Sequence, residues 1–199
     1  MSKIAILTDS SCDIPQEMAE KYNIDIMSFH ILLDDVDYVE RESCSNEEFY
    51  AKMRAAKGVP STAAITPIQF CEKYCQYVDE GYTDVIHVPI NRSGSSTYNN
   101  AVMAQGMLRE ERPEHHLKIH LIDSHTYSMP FGWYLCEMAR KLQNGAEISH
   151  VIHEFESQMN KMEIVLGPYS LRQMKKSGRI SAAAAVMGEL MGIRPIITL

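Results

Sequence analysis

Residues 85–102 read VIHVPINRSGSSTYNNAV. An apolar run from Val85 to Ile90 breaks at Asn91-Arg92-Ser93-Gly94-Ser95-Ser96-Thr97, and a helical pattern resumes at Tyr98. Hydroxyls and one guanidinium therefore crowd into a turn where a strand hands over to a helix. Three chemistries use such a turn: a phosphate cradle, a nucleophile elbow and a clamp for another small anion.

The same alternation extends in both directions. Lys3 to Thr8 predicts a short buried strand, and Asp13-Ile14-Pro15 opens a helix with Pro at an early position, where its missing N–H is harmless. Ile24 to Leu33 predicts one strand, followed by the polar turn DDVDY. Ser45 with Glu48 forms a capping box for a helix over 46–56, and Thr66 with Gln69 repeats that logic for a helix whose apolar stripe is Phe70, Tyr74 and Tyr77/Val78. Gly81 ends that helix. Strands are predicted over 84–90 and 118–122, and helices over 131–143 and 147–161. Beyond Lys161 come a strand (EIVLG), a helix ending in Lys175, Lys176 and Gly178, a helix (SAAAAVMGELMG) and a last strand (RPIITL).

Strands that are apolar throughout and separated by helices predict a parallel sheet covered on both faces. Ligands of such sheets bind beyond the carboxyl ends of the strands. Those ends carry Thr8-Asp9-Ser10-Ser11, Asn91-Arg92-Ser93 and Asp123-Ser124, so three strands deliver small polar groups to one rim. Some of these are helix caps, the ordinary use of Asp, Ser and Thr. Their density favours a ligand rim as well.

Composition narrows the function. The 199 residues are 45% hydrophobic and 23% charged, an ordinary globular balance. A net charge of −7 argues against nucleic acid or an anionic membrane surface as the main partner. No apolar run reaches the roughly eighteen residues of a membrane span, and the start MSKIAILTDSS lacks a signal-peptide core, so a cytoplasmic protein is expected. Five cysteines contain no C-x-x-C pair, which suggests neither a disulfide framework nor a zinc site. Cys71 and Cys75, one helical turn apart, are expected as buried thiols.

The chemistries can be weighed in turn. A phosphate cradle uses glycines to expose backbone N–H groups, yet Gly94 is the only glycine between Asn91 and Thr97, so no nucleotide cofactor is expected. A nucleophile elbow reads G-x-S-x-G, and Tyr98 fills the place of its second glycine. A small-molecule hydrolase or transferase using Ser95 or Ser10 with His125 is the alternative reading. His30, His87 and His120 fall in strands as core histidines. His150 and His153 share a helix face but have no third ligand of recognisable spacing, so no metal is expected. A clamp remains: Ser61, Thr62, Asn91, Arg92 and the serines after it can hydrogen-bond a carboxylate, and an arginine can do so bidentately. The thirteen methionines, Met103, Met107, Met187 and Met191 among them, suit an oily tail, although most belong to the core.

Five segments in order also resemble one family. ILTDSSCDIP resembles the opening T-D-S-[ST]-x-D-[IL]-P of DegV-family proteins, and VPSTAAITPIQF resembles their P-x-T-S-Q-P-S-x-x-x-F segment. INRSGSSTYNNA is similar to I-[SN]-S-x-x-S-[GS]-T-Y-x-x-A, and IDSHTYSMPFG to D-S-x-x-x-S-x-x-x-G. LRQMKKSGRISAAAAVMGELMGIRPII is similar to the family's L-x-x-L-x-x-x-G-R-I-S motif and its continuation. The resemblance implies a two-domain α/β fold: a parallel α/β/α domain over 1–161 and the start of a two-layer α/β domain over 162–199. It further implies a long-chain fatty acid in a buried tunnel, with the carboxylate near the domain interface. Some relatives present that acid to a separate ATP-binding subunit of a fatty acid kinase, so a carrier rather than an enzyme is implied. Carried over by motif, the carboxylate contacts are Thr62 and Arg92, with Ser61, Asn91, Ser93 and Ser95 around them. Arg92 stands where the family usually has serine. It can strengthen the bond through charge, or swing out and leave Ser93 or Asn91 to serve. Ala63, Ala64 and Ile65 also depart from the family's Ser, Gln and Pro. The family continues well past RPIITL, so a shortened chain with open sheet edges near 163–199 is expected.

Overall fold

A computed structural model describes residues 2–167 and 196–198. The described chain divides into two compact units, residues 1–30 with 64–162 and residues 31–63 with 163–199. Residues 31–63, expected within the domain over 1–161, group with 163–199.

The first unit is built on four parallel strands in the order β2-β1-β6-β7: β1 (Ile4–Asp9), β2 (Ile24–Met27), β6 (Asp84–Val88) and β7 (Lys118–Leu121). Ile6 aligns with Ile24 on one side and Ile86 on the other, and Val85 with Ile119. The predicted parallel sheet is therefore present, and β6 lies between β1 and β7.

Period-two alternation decides which helices cover each face. Ala5, Leu7 and Val85 pack with Phe70, Tyr74 and Tyr77 of α3 (Pro67–Asp79) and with Ala101, Ala104 and Leu108 of α4 (Thr97–Glu111). Ile6, Ile86 and Val88 pack on the opposite face with Ala19 of α1 (Gln16–Tyr22), Phe131 and Leu135 of α5 (Met129–Gln143), and Val151 and Phe155 of α6 (Ile148–Met159). The result is a three-layer α/β/α unit with a core on each side of the sheet. Thr66 and Gln69 form the expected capping box, and Gly81 adopts φ 76° just past α3. Cys12, Cys71, Cys75 and Cys136 are buried free thiols.

The predicted strand 24–33 is two strands, β2 and β3 (His30–Leu33), in different sheets. At the break, the Phe29 N–H donates to Ser10 Oγ (2.9 Å) while the Phe29 side chain is buried. A side-chain acceptor from β1's end thus captures a donor that a continuous strand would have given to its ladder.

In the second unit, β3 lies between β4 (Val36–Val39) and β5 (Ser61–Ala63). The predicted turn DDVDY shrinks to Asp34-Asp35, both at positive φ (47° and 64°), as a two-residue connection requires, and its remainder forms β4. Asp34 is held by the N–H groups of Lys57 (2.9 Å) and Gly58 (2.8 Å). Helix α2 (Asn46–Ala55) carries the predicted Ser45–Glu48 capping box. A short antiparallel pair, β8 (Val165–Leu166) with β9 (Ile197–Thr198), belongs to the same unit. The helices predicted between Pro168 and Gly192 lie outside the described residues. No helix among the described residues is long and apolar enough to cross a membrane.

Candidate functional site

The loop after β6 is stapled from both sides by carboxylates of the neighbouring strands. Asp9, the last residue of β1 and fully buried, accepts the Ile90 N–H on Oδ2 (2.7 Å) and the Ser11 N–H on Oδ1 (3.1 Å). Asp123, just past β7, accepts the Arg92 N–H (3.1 Å) and the His125 N–H (3.0 Å) on Oδ1. A central strand flanked by two parallel neighbours thus has its exit fixed by acids that those neighbours deliver. Burial makes these bonds matter, because an unpaired buried N–H costs the full desolvation of that group.

Within the loop, most polar groups face each other. The Asn91 N–H donates to the Thr126 carbonyl (3.2 Å) and its Nδ2 to the His125 carbonyl (3.1 Å). Asn91 Oδ1 accepts from Ser93 N (2.9 Å) and Ser93 Oγ (2.8 Å). Ser95 Oγ lies 2.8 Å from Thr97 Oγ1 and accepts the Thr97 N–H (3.3 Å) at the start of α4. The hydroxyl proton of Ser93 is therefore committed, while the Ser95–Thr97 pair shares one proton and leaves one.

Arg92 differs. Its Nε lies 3.3 Å from Asp123 Oδ2 and its guanidinium 6.0 Å above the Tyr98 ring, yet its side chain remains 62% exposed. Neither Nη has a hydrogen-bond partner among the described residues. Of the four expected loop contacts, Arg92 keeps the most unused donors. Gly94, within this loop, lies against Tyr127, where an added Cβ would stand 2.2 Å from Tyr127 Oη.

Ser61 and Thr62 lie on β5 of the second unit, both exposed. The following segment is anchored within the first unit, where Asn100 Nδ2 of α4 donates to the Ile65 carbonyl (2.7 Å).

The alternative hydrolase geometry is not assembled. His125 directs Nδ1 at Asp123 Oδ2 (3.5 Å), and among the described residues it hydrogen-bonds neither Ser95, which pairs with Thr97, nor Ser10, whose Oγ accepts the Phe29 N–H. Of the other histidines, His120 pairs with Asp84 (2.9 Å) and His87 is wholly buried, its Nδ1 2.6 Å from Tyr74 Oη. Burial pulls the His87 pKa down to about 3 and pushes that of the Tyr74 phenol up, so the phenol donates to a neutral ring. Among the described residues no three His, Cys, Asp or Glu side chains are grouped to hold a metal. A groove of about 610 Å3 between α3 and α4, lined by Ile68, Cys71, Cys75 and Met107, also carries Glu72 and Glu111. Its arginine, Arg112, already faces Asp79 (3.6 Å) and Glu111 (3.8 Å), so the groove does not suit an anion.

The sequence reading placed Asp123 on the rim but assigned it no role. The available signal was an acid directly after an apolar strand, repeated at Asp9.

A family model described as "Uncharacterised protein, DegV family" matches residues 3–199, which spans the first unit, the stapled loop and the second unit together. The chain belongs to the DegV family. A DegV domain-containing protein of Clostridium perfringens is 30% identical over 98% of this chain and 68% of its own length. The fatty acid binding DegV family protein of Streptococcus agalactiae superposes with a TM-score of 0.85 at 26% identity, covering all of this chain and 68% of that one. The Fatty Acid Kinase (Fak) B3 protein of Streptococcus pneumoniae, loaded with linoleic acid, shares the fold (TM-score 0.79, 20% identity, 98% of this chain and 68% of that one). This DegV-family chain spans about two thirds of the length of these relatives.

Proposed function

We propose that this chain binds a long-chain fatty acid, with the carboxylate held by Thr62 and the 91–95 turn, and presents it to a separate ATP-binding kinase subunit. The observation that carries the reading is Arg92: a guanidinium anchored on one edge, with both Nη groups unused, at the carboxyl rim of a parallel sheet. A planar fork of this kind matches a carboxylate in two parallel N–H···O bonds. Ser95, with one shared hydroxyl proton to spare, is the neutral donor in the same turn, and Thr62, exposed on β5, is the second donor that the family motif assigns. The Streptococcus agalactiae relative, named for fatty acid binding, supports the choice of ligand. Presentation to a kinase is supported by the fold shared with the Streptococcus pneumoniae kinase protein, and phosphoryl transfer then falls to the partner.

Native mass spectrometry of the purified chain, followed by organic extraction, tests the reading. The expected result is one fatty acid per chain, with occupancy reduced in Thr62→Ala and Arg92→Ala. A chain that is empty and takes up no added fatty acid would overturn it. Mixing loaded protein with a DegV-partner kinase and ATP then tests presentation, read as ATP consumption that requires the lipid.

A further inference from the structure

One residue, Asp123, touches both rim loops twice. Oδ1 accepts the backbone N–H groups of Arg92 and His125, while Oδ2 stands 3.3 Å from Arg92 Nε and 3.5 Å from His125 Nδ1. Its side chain is only 8% exposed, and Oδ2 is a buried oxygen without a hydrogen bond of its own. A buried anion in that state depends on the guanidinium beside it, so it holds Arg92 in place. A second restraint is the Tyr98 ring, its centroid 6.0 Å from the guanidinium carbon. With Nε turned to Asp123, the end-on edge of the planar fork, one N–H from each Nη, is left free of it.

We propose that Asp123 is the positioning residue of the headgroup clamp, fixing Arg92 by its Nε edge against Tyr98 so that the two Nη groups form a preset, carboxylate-selective binding edge. This rests on the reading that the chain binds a fatty acid through Arg92. It explains how an arginine serves in a turn where the resemblance implies serine. A free arginine must be ordered when ligand arrives, and one held beforehand avoids that entropy loss. The selectivity follows from chemistry: two parallel N–H donors match two carboxylate oxygens, whereas an alcohol offers one oxygen and no charge.

Asp123→Asn isolates the role. The amide oxygen still accepts the two backbone N–H groups, but its NH2 turns a donor toward Arg92 Nε and releases the guanidinium. Binding of palmitic acid and of hexadecanol to the delipidated full chain is measured for the parent, Asp123→Asn, Arg92→Ala, Arg92→Lys and the Asp123→Asn/Arg92→Ala double variant. The expected result is about a tenfold loss of palmitic acid affinity in Asp123→Asn, with hexadecanol unchanged. The double variant is expected to bind palmitic acid as Arg92→Ala does, because Asp123 acts only through Arg92. Arg92→Lys, which leaves the Asp123 backbone bonds intact, is expected to lose affinity as Arg92→Ala does, since a point charge lacks the fork.

Equal losses for acid and alcohol in Asp123→Asn, or the same loss with and without Arg92, would overturn the proposal and reduce Asp123 to a loop staple. Should Asp123→Asn fail to fold, Arg92→Lys decides alone: affinity equal to the parent would overturn it. Palmitic acid bound equally by parent and Arg92→Ala would sink the inference and leave the fatty acid reading standing. A parent that binds neither compound would sink both.

Discussion

Asp9 Oδ2 accepts the backbone N–H of Ile90 at 2.7 Å, tying together two residues 81 positions apart in the chain. The bond lies at the junction where β6 leaves the sheet, and Asp9 is fully buried. Asp9→Ala would strand the Ile90 N–H and the Ser11 N–H together. A loss of about 1–3 kcal/mol in urea unfolding is expected, with Asp9→Asn between the variant and the parent because its one carbonyl oxygen still accepts. An alanine variant as stable as the parent would show that the staple contributes nothing.

Much of the first unit was legible because its local signals agree with its long-range pairing. Phe70, Tyr74 and Tyr77 recur at helical spacing behind the Thr66–Gln69 box, and all three are buried on the face that meets Leu7 and Val85. The strand division at Phe29 was not legible, because its cause is a hydroxyl nineteen residues earlier, at Ser10. Strand β5 was missed since Ser61, Thr62 and Ala63 are all exposed and show no apolar alternation. The rim itself was foreseen from polar residues at strand ends. Their partners were not: Ser93 and Asn91 read as ligand groups in a list of residue types, yet the fold turns them on each other. Asp123 carried no role in the sequence, because the two backbone N–H groups that it accepts, from Arg92 and His125, come together only in the fold.

The buried pair His87–Tyr74 makes stability pH-dependent. Burial lowers the His87 pKa from 6.5 to about 3 in the folded chain. Below pH 6.5 the unfolded chain protonates this imidazole while the fold keeps it neutral, so stability falls as pH falls from about 6.5 toward 3. The slope approaches about 1.4 kcal/mol per pH unit for this one proton. His87→Gln, which keeps an acceptor for Tyr74, is expected to be less stable at pH 7 but to lack this component of the slope. Urea unfolding of both chains at pH 7, 6 and 5 measures the difference, and parallel curves would sink the assignment.

Thiol chemistry should separate one cysteine from the rest. Cys12, Cys71, Cys75 and Cys136 are buried, and burial pushes the Cys71 thiol up to about 11 and raises that of Cys136 as well. Only the thiolate reacts quickly, so Cys71 and Cys136 are protected twice, by access and by protonation, and Cys12 and Cys75 by access. With iodoacetamide at pH 8 the half-buried Cys44 is expected to be modified first in the native chain, and the others only with unfolding. Peptide mapping over time reads the order. Early modification of Cys71 would mean that the α3–α4 contact opens far more readily than its packing implies.

Two glycines predict unequal costs for the same substitution. A Cβ at Gly132 would sit 2.2 Å from the Cys12 carbonyl oxygen, while one at Gly94 would sit 2.2 Å from Tyr127 Oη. The first obstacle is backbone, fixed between Asp9 and the start of α5. The second is the end of a half-buried side chain that can rotate away. Gly132→Ala is therefore expected to cost about 1–3 kcal/mol in urea unfolding as an overpacked contact, and Gly94→Ala about 1 kcal/mol or less. Because Tyr127 belongs to the loop that Asp123 and Asn91 tie to Arg92, Gly94→Ala should instead weaken palmitic acid binding through the displaced loop. A Gly94→Ala chain that loses as much stability as Gly132→Ala would show that the Tyr127 side chain is as immovable as the Cys12 backbone.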